Sequence, residues 1–329
     1  MSTGTETGMG LTDVEPEPWT GRDDGAGADN LRWHRAVHLD PDRAEPGDVA
    51  FVGFRSDEGV SRNKGRRGAA AGPGALRRAL ASMALPGPLR ALDAGDVEVA
   101  GRDLEAAQQR LGRAVAALVD RGQQVMVLGG GHEVAYGSYR GLARTRVLRE
   151  GGRPGVLNLD AHFDLRDDAL PSSGTPFLQM AQSEERYGRQ LNYWVLGVSQ
   201  PSNTERLFRT ADRLGVRYLP DTACGLLDLP RIEKFVDDFL ASCDVVHLSI
   251  DLDVLPAAVA PGVSAPAAYG VQMDVIERVC AKVAASGKLA VCDIAELNPD
   301  LDVDQRTARA GARLIHRMVT SRSTAPRTV

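Results

Sequence analysis

Long apolar runs are missing from this chain. None approaches the ~20 residues that a membrane-crossing helix needs, and the first six residues, Met1-Ser2-Thr3-Gly4-Thr5-Glu6, have neither the basic nor the apolar region of a secretory signal. Cysteine is scarce as well: Cys224, Cys243, Cys280 and Cys292 show no paired spacing for zinc or redox chemistry and read as reduced core residues. Nor is there a large charge excess. The formal net charge is −5, with Lys and Arg scattered along the chain, which gives nucleic-acid or membrane-surface binding no electrostatic basis. What remains is a globular composition, 43% hydrophobic and 25% charged over 329 residues, enough to bury an ample core. A cytoplasmic location is expected.

Residues 1–17 are rich in Gly, Thr, Glu and Pro without periodicity and read as a disordered lead-in, leaving 18–329 as one domain. Apolar runs of strand length follow at 49–54, 124–128, 155–159, 193–198, 216–219, 245–250 and 289–294. Between them lie stretches such as 73–80 and 104–120, whose Leu and Ala recur at three- and four-residue spacing. Such alternation specifies an α/β fold, a parallel sheet with helices on both faces and right-handed crossovers.

Three of the strand-like runs end in metal-binding side chains. Val125-Met126-Val127-Leu128 leads into Gly129-Gly130-Gly131-His132-Glu133, a glycine turn that delivers an imidazole. Val156-Leu157-Asn158-Leu159 leads into Asp160-Ala161-His162-Phe163-Asp164, and the run 245–250 leads into Asp251-Leu252-Asp253. With a strand period of two, 160, 162 and 164 can converge on one point, as can 251 and 253. Taken singly, an Asp-x-His or Asp-x-Asp segment is a turn or a helix cap. Together, five carboxylates and imidazoles at two strand ends, joined by His132 at a third, would repel and desolvate one another at a cost of many kcal/mol unless a cation sat among them. Carboxylates and imidazoles without thiolate suit borderline-to-hard divalent ions such as Mn²⁺. Two such ions about 3.5–4 Å apart would lower the pKa of a shared water and make hydroxide available near neutral pH, which implies hydrolysis.

These motifs, with Glu296-Leu297-Asn298-Pro299, resemble those of the ureohydrolases, the family of arginase, agmatinase and formimidoylglutamase, from about Trp19 to Arg317. The resemblance implies a three-layer α/β/α fold with a mostly parallel eight-stranded sheet and a homo-oligomer. It also implies two Mn²⁺ per subunit, one held by His132, Asp160, Asp164 and Asp251, the other by Asp160, His162, Asp251 and Asp253, with Asp160 and Asp251 bridging. Asp164 would shuttle a proton to the leaving amine, and Glu296 would pair with the amidinium-like head of the substrate.

One departure bears on the substrate. Where arginase and agmatinase carry a histidine in the loop after the second metal motif, this chain has Ser173, within Ser172-Ser173-Gly174-Thr175-Pro176-Phe177. Arg166, two residues beyond Asp164, can present a guanidinium to the same cleft, where it would take a carboxylate and repel a cationic tail. A small molecule with anionic carboxylates is therefore expected. The stretch 57–66, the Ser172–Phe177 loop, Gly197-Val198-Ser199, Asn203-Thr204 and Ser264-Ala265-Pro266 are similar to the formimidoylglutamase branch, so Arg62, Asn63, Lys64, Ser173 and Asn203 join Arg166 as candidate substrate contacts. That branch hydrolyses N-formimidoyl-L-glutamate to L-glutamate and formamide in histidine degradation. Agmatinase or another guanidino-acid hydrolase, a silent metal-binding homologue and a zinc deacetylase on a related fold are the alternatives.

Among the remaining polar residues, His34 and His38 read as surface or satisfied core histidines, and His316 as part of a helix. By parity His247 lies beneath the cluster as a buried supporting residue. Glu133 reads as an acid at the start of a helix.

Overall fold

A computed structural model of the chain describes residues 11–322. Its strands are β1 (Val37–His38), β2 (Val49–Arg55), β3 (Ala91–Glu98), β4 (Gln124–Leu128), β5 (Pro154–Leu159), β6 (Tyr193–Val198), β7 (Arg217–Pro220), β8 (Val245–Asp251) and β9 (Leu289–Ala295). Among the described residues they form one sheet in the order β1-β3-β2-β4-β9-β8-β5-β6-β7, with every neighbouring pair parallel. Each of the seven apolar runs is a strand. The sheet has nine strands rather than the expected eight. β1 is two residues long, and β3 carries Asp93, Gly95 and Asp96 in its interior, so neither reads as an apolar run.

The helices are α1 (Trp33–Ala36), α2 (Glu58–Arg62), α3 (Gly72–Ala81), α4 (Leu104–Asp120), α5 (Val134–Leu142), α6 (Arg146–Arg149), α7 (Pro176–Glu185), α8 (Glu205–Leu214), α9 (Leu229–Ser242), α10 (Met273–Ala285) and α11 (Arg306–Ser321). α4 shows how they dock. Asp103 caps its amino end by accepting from the Ala106 N–H at 3.0 Å, and Leu104, Ala107, Leu111, Val115 and Leu118 form one buried stripe. Each such leucine contributes about 1.5–3 kcal/mol by leaving water. α3, α9, α10 and α11 bury their apolar stripes in a core on one face of the sheet. The cores on the other face hold α4, α5, α7 and α8, which makes three layers.

Residues 11–17, assigned from composition to the lead-in, instead pack on β3. Thr12 Oγ1 donates to the Ala94 carbonyl at 2.6 Å, and Val14 bridges Asp96 in antiparallel fashion. Trp19 Nε1 donates to Asp93 at 2.7 Å, and Arg77 forks between Asp93 and Asp96. These partners allow β3 to bury Asp93 and half-bury Asp96. Residues 1–10 lie outside the described part.

The strand order creates the site. β4 and β5 follow one another in the chain, yet β9 and β8 lie between them, so the connections diverge at the centre of the sheet and open a crevice at the strands' carboxyl ends.

Candidate metal centre

Every candidate ligand leaves one of the central strands β4, β5 and β8. His132 follows β4 through the glycine turn, where a Cβ on Gly130 would lie 1.8 Å from the Ser56 carbonyl oxygen; only glycine fits. His132 Nδ1 then lies 3.2 Å from Asp160 Oδ2, 2.9 Å from Asp164 Oδ2 and 3.2 Å from Asp251 Oδ2. His162 Nδ1 lies 3.0 Å from Asp253 Oδ2 and 3.4 Å from Asp160 Oδ1. Two groups of ligand atoms result, His132 with Asp160 and Asp164, and His162 with Asp160 and Asp253. Asp160 presents one oxygen to each. Asp251 turns Oδ2 toward His132, while its Oδ1 accepts the Asp253 N–H at 2.8 Å. Asp164 and Glu296 both adopt left-handed backbone, φ 49° and 69°, uncommon for side chains of this size and typical of residues aimed by their surroundings.

The donor set fits divalent cations. His132 Nδ1 is buried without a hydrogen-bond partner and confronts three carboxylate oxygens. Burial foremost, then the neighbouring carboxylates, pushes Asp164, Asp251 and Asp253 above the usual carboxylate range. For His132 burial works downward, but the facing carboxylates of Asp160, Asp164 and Asp251 outweigh it and raise its pKa well above the ordinary value. His162 is raised in the same way against burial, by Asp253 and Asp160. The cluster draws in positive charge, as protons or as metal.

Beneath it runs a buried polar seam. His132 Nε2 lies 2.9 Å from Ser249 Oγ, Ser249 donates to Asp293 Oδ1 at 2.5 Å, and Asp293 Oδ2 lies 2.5 Å from His247 Nε2. His247 sits beneath the cluster, as its parity predicts. Asn158 donates to Asp160 Oδ2 at 2.9 Å and to the Tyr193 hydroxyl at 3.1 Å. Sequence reasoning passed over Ser249 and Asp293. The available signal was an Asp in the middle of an otherwise apolar strand, which must have a partner.

Glu296 follows β9, and its Oε1 accepts the His132 N–H at 2.9 Å. Burial, then the charges of Glu133 and Asp253, push its carboxyl up to about 8. Glu133 does stand at the start of α5, but its carboxylate makes no helix cap. It is fully buried and accepts from Ser56 Oγ at 2.6 Å and the Gly59 N–H at 2.9 Å, tying the metal loop to α2.

The rim residues divide. Asn63 Nδ2 donates to Ser173 Oγ at 3.1 Å, and a Cβ on Gly174 would meet Arg166 Cδ at 2.7 Å and Asn63 Nδ2 at 3.2 Å, so these four residues are neighbours. Arg166 and Lys64 are exposed and make no ion pair among the described residues. Arg62 and Asn203 depart from the expectation of substrate contact. The Arg62 guanidinium is engaged by Glu58, Glu105 and the carbonyls of Arg102 and Pro171. The Asn203 amide accepts from the Phe163 N–H and donates to the Ala161 and Ser199 carbonyls, which braces the metal loop and leaves no donor for a ligand. His34 contacts the Ala81 carbonyl, and His316 accepts from Trp33 within α11, whereas both ring nitrogens of His38 are buried without partners. All four cysteines are free and buried. No described helix is long and apolar enough to cross a membrane.

Comparison with known proteins agrees with this geometry. The chain is 61% identical over 309 residues to a formimidoylglutamase of Rhodococcus opacus, covering 94% of this chain and 97% of that one. It is 53% identical over 315 residues to a formimidoylglutamase of Ralstonia nicotianae, covering 94% and 96%. Among solved structures it superposes on a Trypanosoma cruzi formiminoglutamase crystallised with Mn²⁺, with a TM-score of 0.73 and 26% identity over 84% of this chain and 93% of that one. The formimidoylglutamase of Bacillus subtilis shares the fold, with a TM-score of 0.77 at 23% identity over 91% and 95%. With residues 47–320 matching the model of the Arginase family, this chain belongs to that family.

Proposed function

We propose that this chain hydrolyses N-formimidoyl-L-glutamate to L-glutamate and formamide, a step of histidine degradation, with two Mn²⁺ per subunit. The metal reading is carried by one observation, His132 Nδ1 buried without a hydrogen-bond partner while it faces three carboxylate oxygens. Relatives at 53–61% identity that bear the name formimidoylglutamase support the substrate, as does the unpaired Arg166 beside Ser173.

His132, Asp160, Asp164 and Asp251 would hold one ion, and Asp160, His162, Asp251 and Asp253 the other. When bound, such a pair lowers the pKa of a shared water and gathers the negative charge that develops as the formimino carbon becomes tetrahedral. Glu296 pairs with the amidinium head; that cation beside its free oxygen holds the carboxylate ionised. Asp164 passes a proton to the glutamate nitrogen as the C–N bond breaks, since an unprotonated amine is a very poor leaving group. Arg166, with Asn63, Lys64 and Ser173 around it, takes the substrate carboxylates. Ser173 does not titrate near neutrality, so the proton path runs through Asp164 or water. Arg62 and Asn203 act one layer back, holding the rim and metal loops. A cytoplasmic location, in keeping with four free thiols, and a homo-oligomeric state complete this reading.

The test is formamide release by the Mn²⁺-restored enzyme from formimidoylglutamate, set beside turnover of agmatine, arginine and guanidinobutyrate. Preference for a guanidino substrate would overturn the assignment.

A further inference from the structure

The seam beneath the cluster has a direction, fixed by counting protons. Ser249 has one hydroxyl proton, and it goes to Asp293 Oδ1 at 2.5 Å. An ionised carboxylate only accepts, so His247 supplies the proton of its Nε2 contact with Asp293 Oδ2 at 2.5 Å. The Ser249–His132 contact at 2.9 Å must then use a proton on His132 Nε2. In the neutral form that ligates metal the imidazole carries one N–H, which leaves Nδ1 as the lone pair, and Nδ1 is the atom that faces Asp160, Asp164 and Asp251. The side chains of His132, Ser249, Asp293 and His247 are all at most 1% exposed, so bulk solvent does not compete for any link.

We propose that Asp293, acting through Ser249, is the positioning residue that holds His132 in the Nε2–H tautomer able to ligate metal, with His247 keeping Asp293 aimed. This rests on the reading of His132 as a ligand. It makes a specific demand on Asp293→Asn. In that variant the carboxamide oxygen must take the His247 Nε2–H, because moving that proton to His247 Nδ1 would bury a donor that has no acceptor. The amide NH₂ then faces Ser249, which turns its own proton toward His132 Nε2. The tautomeric proton is driven onto Nδ1, against the metal. Ser249→Ala deletes the link without reversing it and is the milder change.

The experiment titrates the full-length apoprotein and its Asp293→Asn and Ser249→Ala variants with Mn²⁺, reading free ion by its six-line electron paramagnetic resonance signal, with circular dichroism as the folding control. Two sites are expected in the parent. One of them should weaken about 10–100-fold in Asp293→Asn and by a smaller factor in Ser249→Ala. Parent-like affinity in Ser249→Ala, or Asp293→Asn binding no worse than Ser249→Ala, overturns the proposal. If Asp293→Asn does not fold, Ser249→Ala decides alone. Failure of the parent itself to bind Mn²⁺ overturns the metal reading, and this inference with it.

Discussion

The carboxylate of Glu133 accepts a 2.6 Å hydrogen bond from Ser56 Oγ, joining the loop that carries His132 to the one that leads into α2 and Asn63. Through the same oxygen it takes the Gly59 N–H at 2.9 Å. Glu133→Ala leaves two buried donors unpaired and should cost about 1–3 kcal/mol of stability. Glu133→Gln keeps an acceptor at that oxygen and should retain most of it. Urea unfolding of the two apo variants checks the order; equal stability would mean that the clamp carries no energy. Because α2 borders the rim, Glu133→Ala should also raise KM for formimidoylglutamate more than it lowers kcat.

Asp160 offers an oxygen to each histidine, and both it and Asp251 accept a backbone N–H, from His162 at 2.6 Å and from Asp253 at 2.8 Å. Asp160→Asn and Asp251→Asn should each strip both ions and nearly all activity, and His132→Asn should mainly weaken one site. Metal analysis of the purified variants tests this. Full two-ion occupancy in Asp251→Asn would remove it from the bridging role.

Arg166 is the exposed, unpaired guanidinium next to Ser173 and Asn63. Arg166→Ala and Arg166→Lys should lower kcat/KM for formimidoylglutamate by about 10² while leaving metal content unchanged, because the planar fork is lost in both. Parent-like kinetics in the fully metallated Arg166→Ala enzyme would reopen the guanidino substrates.

Away from the site, the buried Glu184 receives a two-pronged hydrogen bond from Arg189, at 2.6 and 2.9 Å. Burial works to raise its pKa, but Arg189 and Tyr139 outweigh it and hold the carboxyl below its usual range. A depressed carboxylate contributes stability that is fully present above its unfolded pKa and is lost as pH falls through the folded one. Glu184→Gln should therefore be less stable than the parent at pH 7, by about 1 kcal/mol given the half-exposed arginine, and the gap should close as pH falls below the ordinary carboxylate range. A gap that persists in acid would assign the effect to packing.

What the sequence makes legible follows from its periodicities. α4 begins and ends where its leucine spacing says, because cap, stripe and burial agree. The six ligands are legible because an apolar strand that ends in alternating Asp and His gathers charge that only a cation can neutralise. β3 is not, since its polar interior is made tolerable by Arg77 and Trp19, one 16 residues upstream of Asp93 and the other 74. Asp293 is hidden for the same reason, its partners Ser249 and His247 being supplied by another strand. Glu133 sits where a helix-starting acid would, and only the approach of Ser56 and Gly59 shows which loop takes its charge. Arg62, Asn63 and Asn203 come from similarly polar stretches, and which side chain is free depends largely on neighbours 40 or more residues distant.

The order of strands also dictates when in the life of the chain a metal can be captured. A polypeptide made as far as β7 has four of the six ligands, but its β4 and β5 would stand with two strand widths, about 10 Å, empty between them. Filling that gap requires Val125 to pair beside Val291, 166 positions later. His132 and Asp160 thus stay on opposite banks until β8 and β9 thread between β4 and β5, late and over a long chain separation, which slows folding. The centre is assembled by β8 and β9, the last strands among the described residues, and refolding followed by Mn²⁺ uptake should lag behind the return of helical signal.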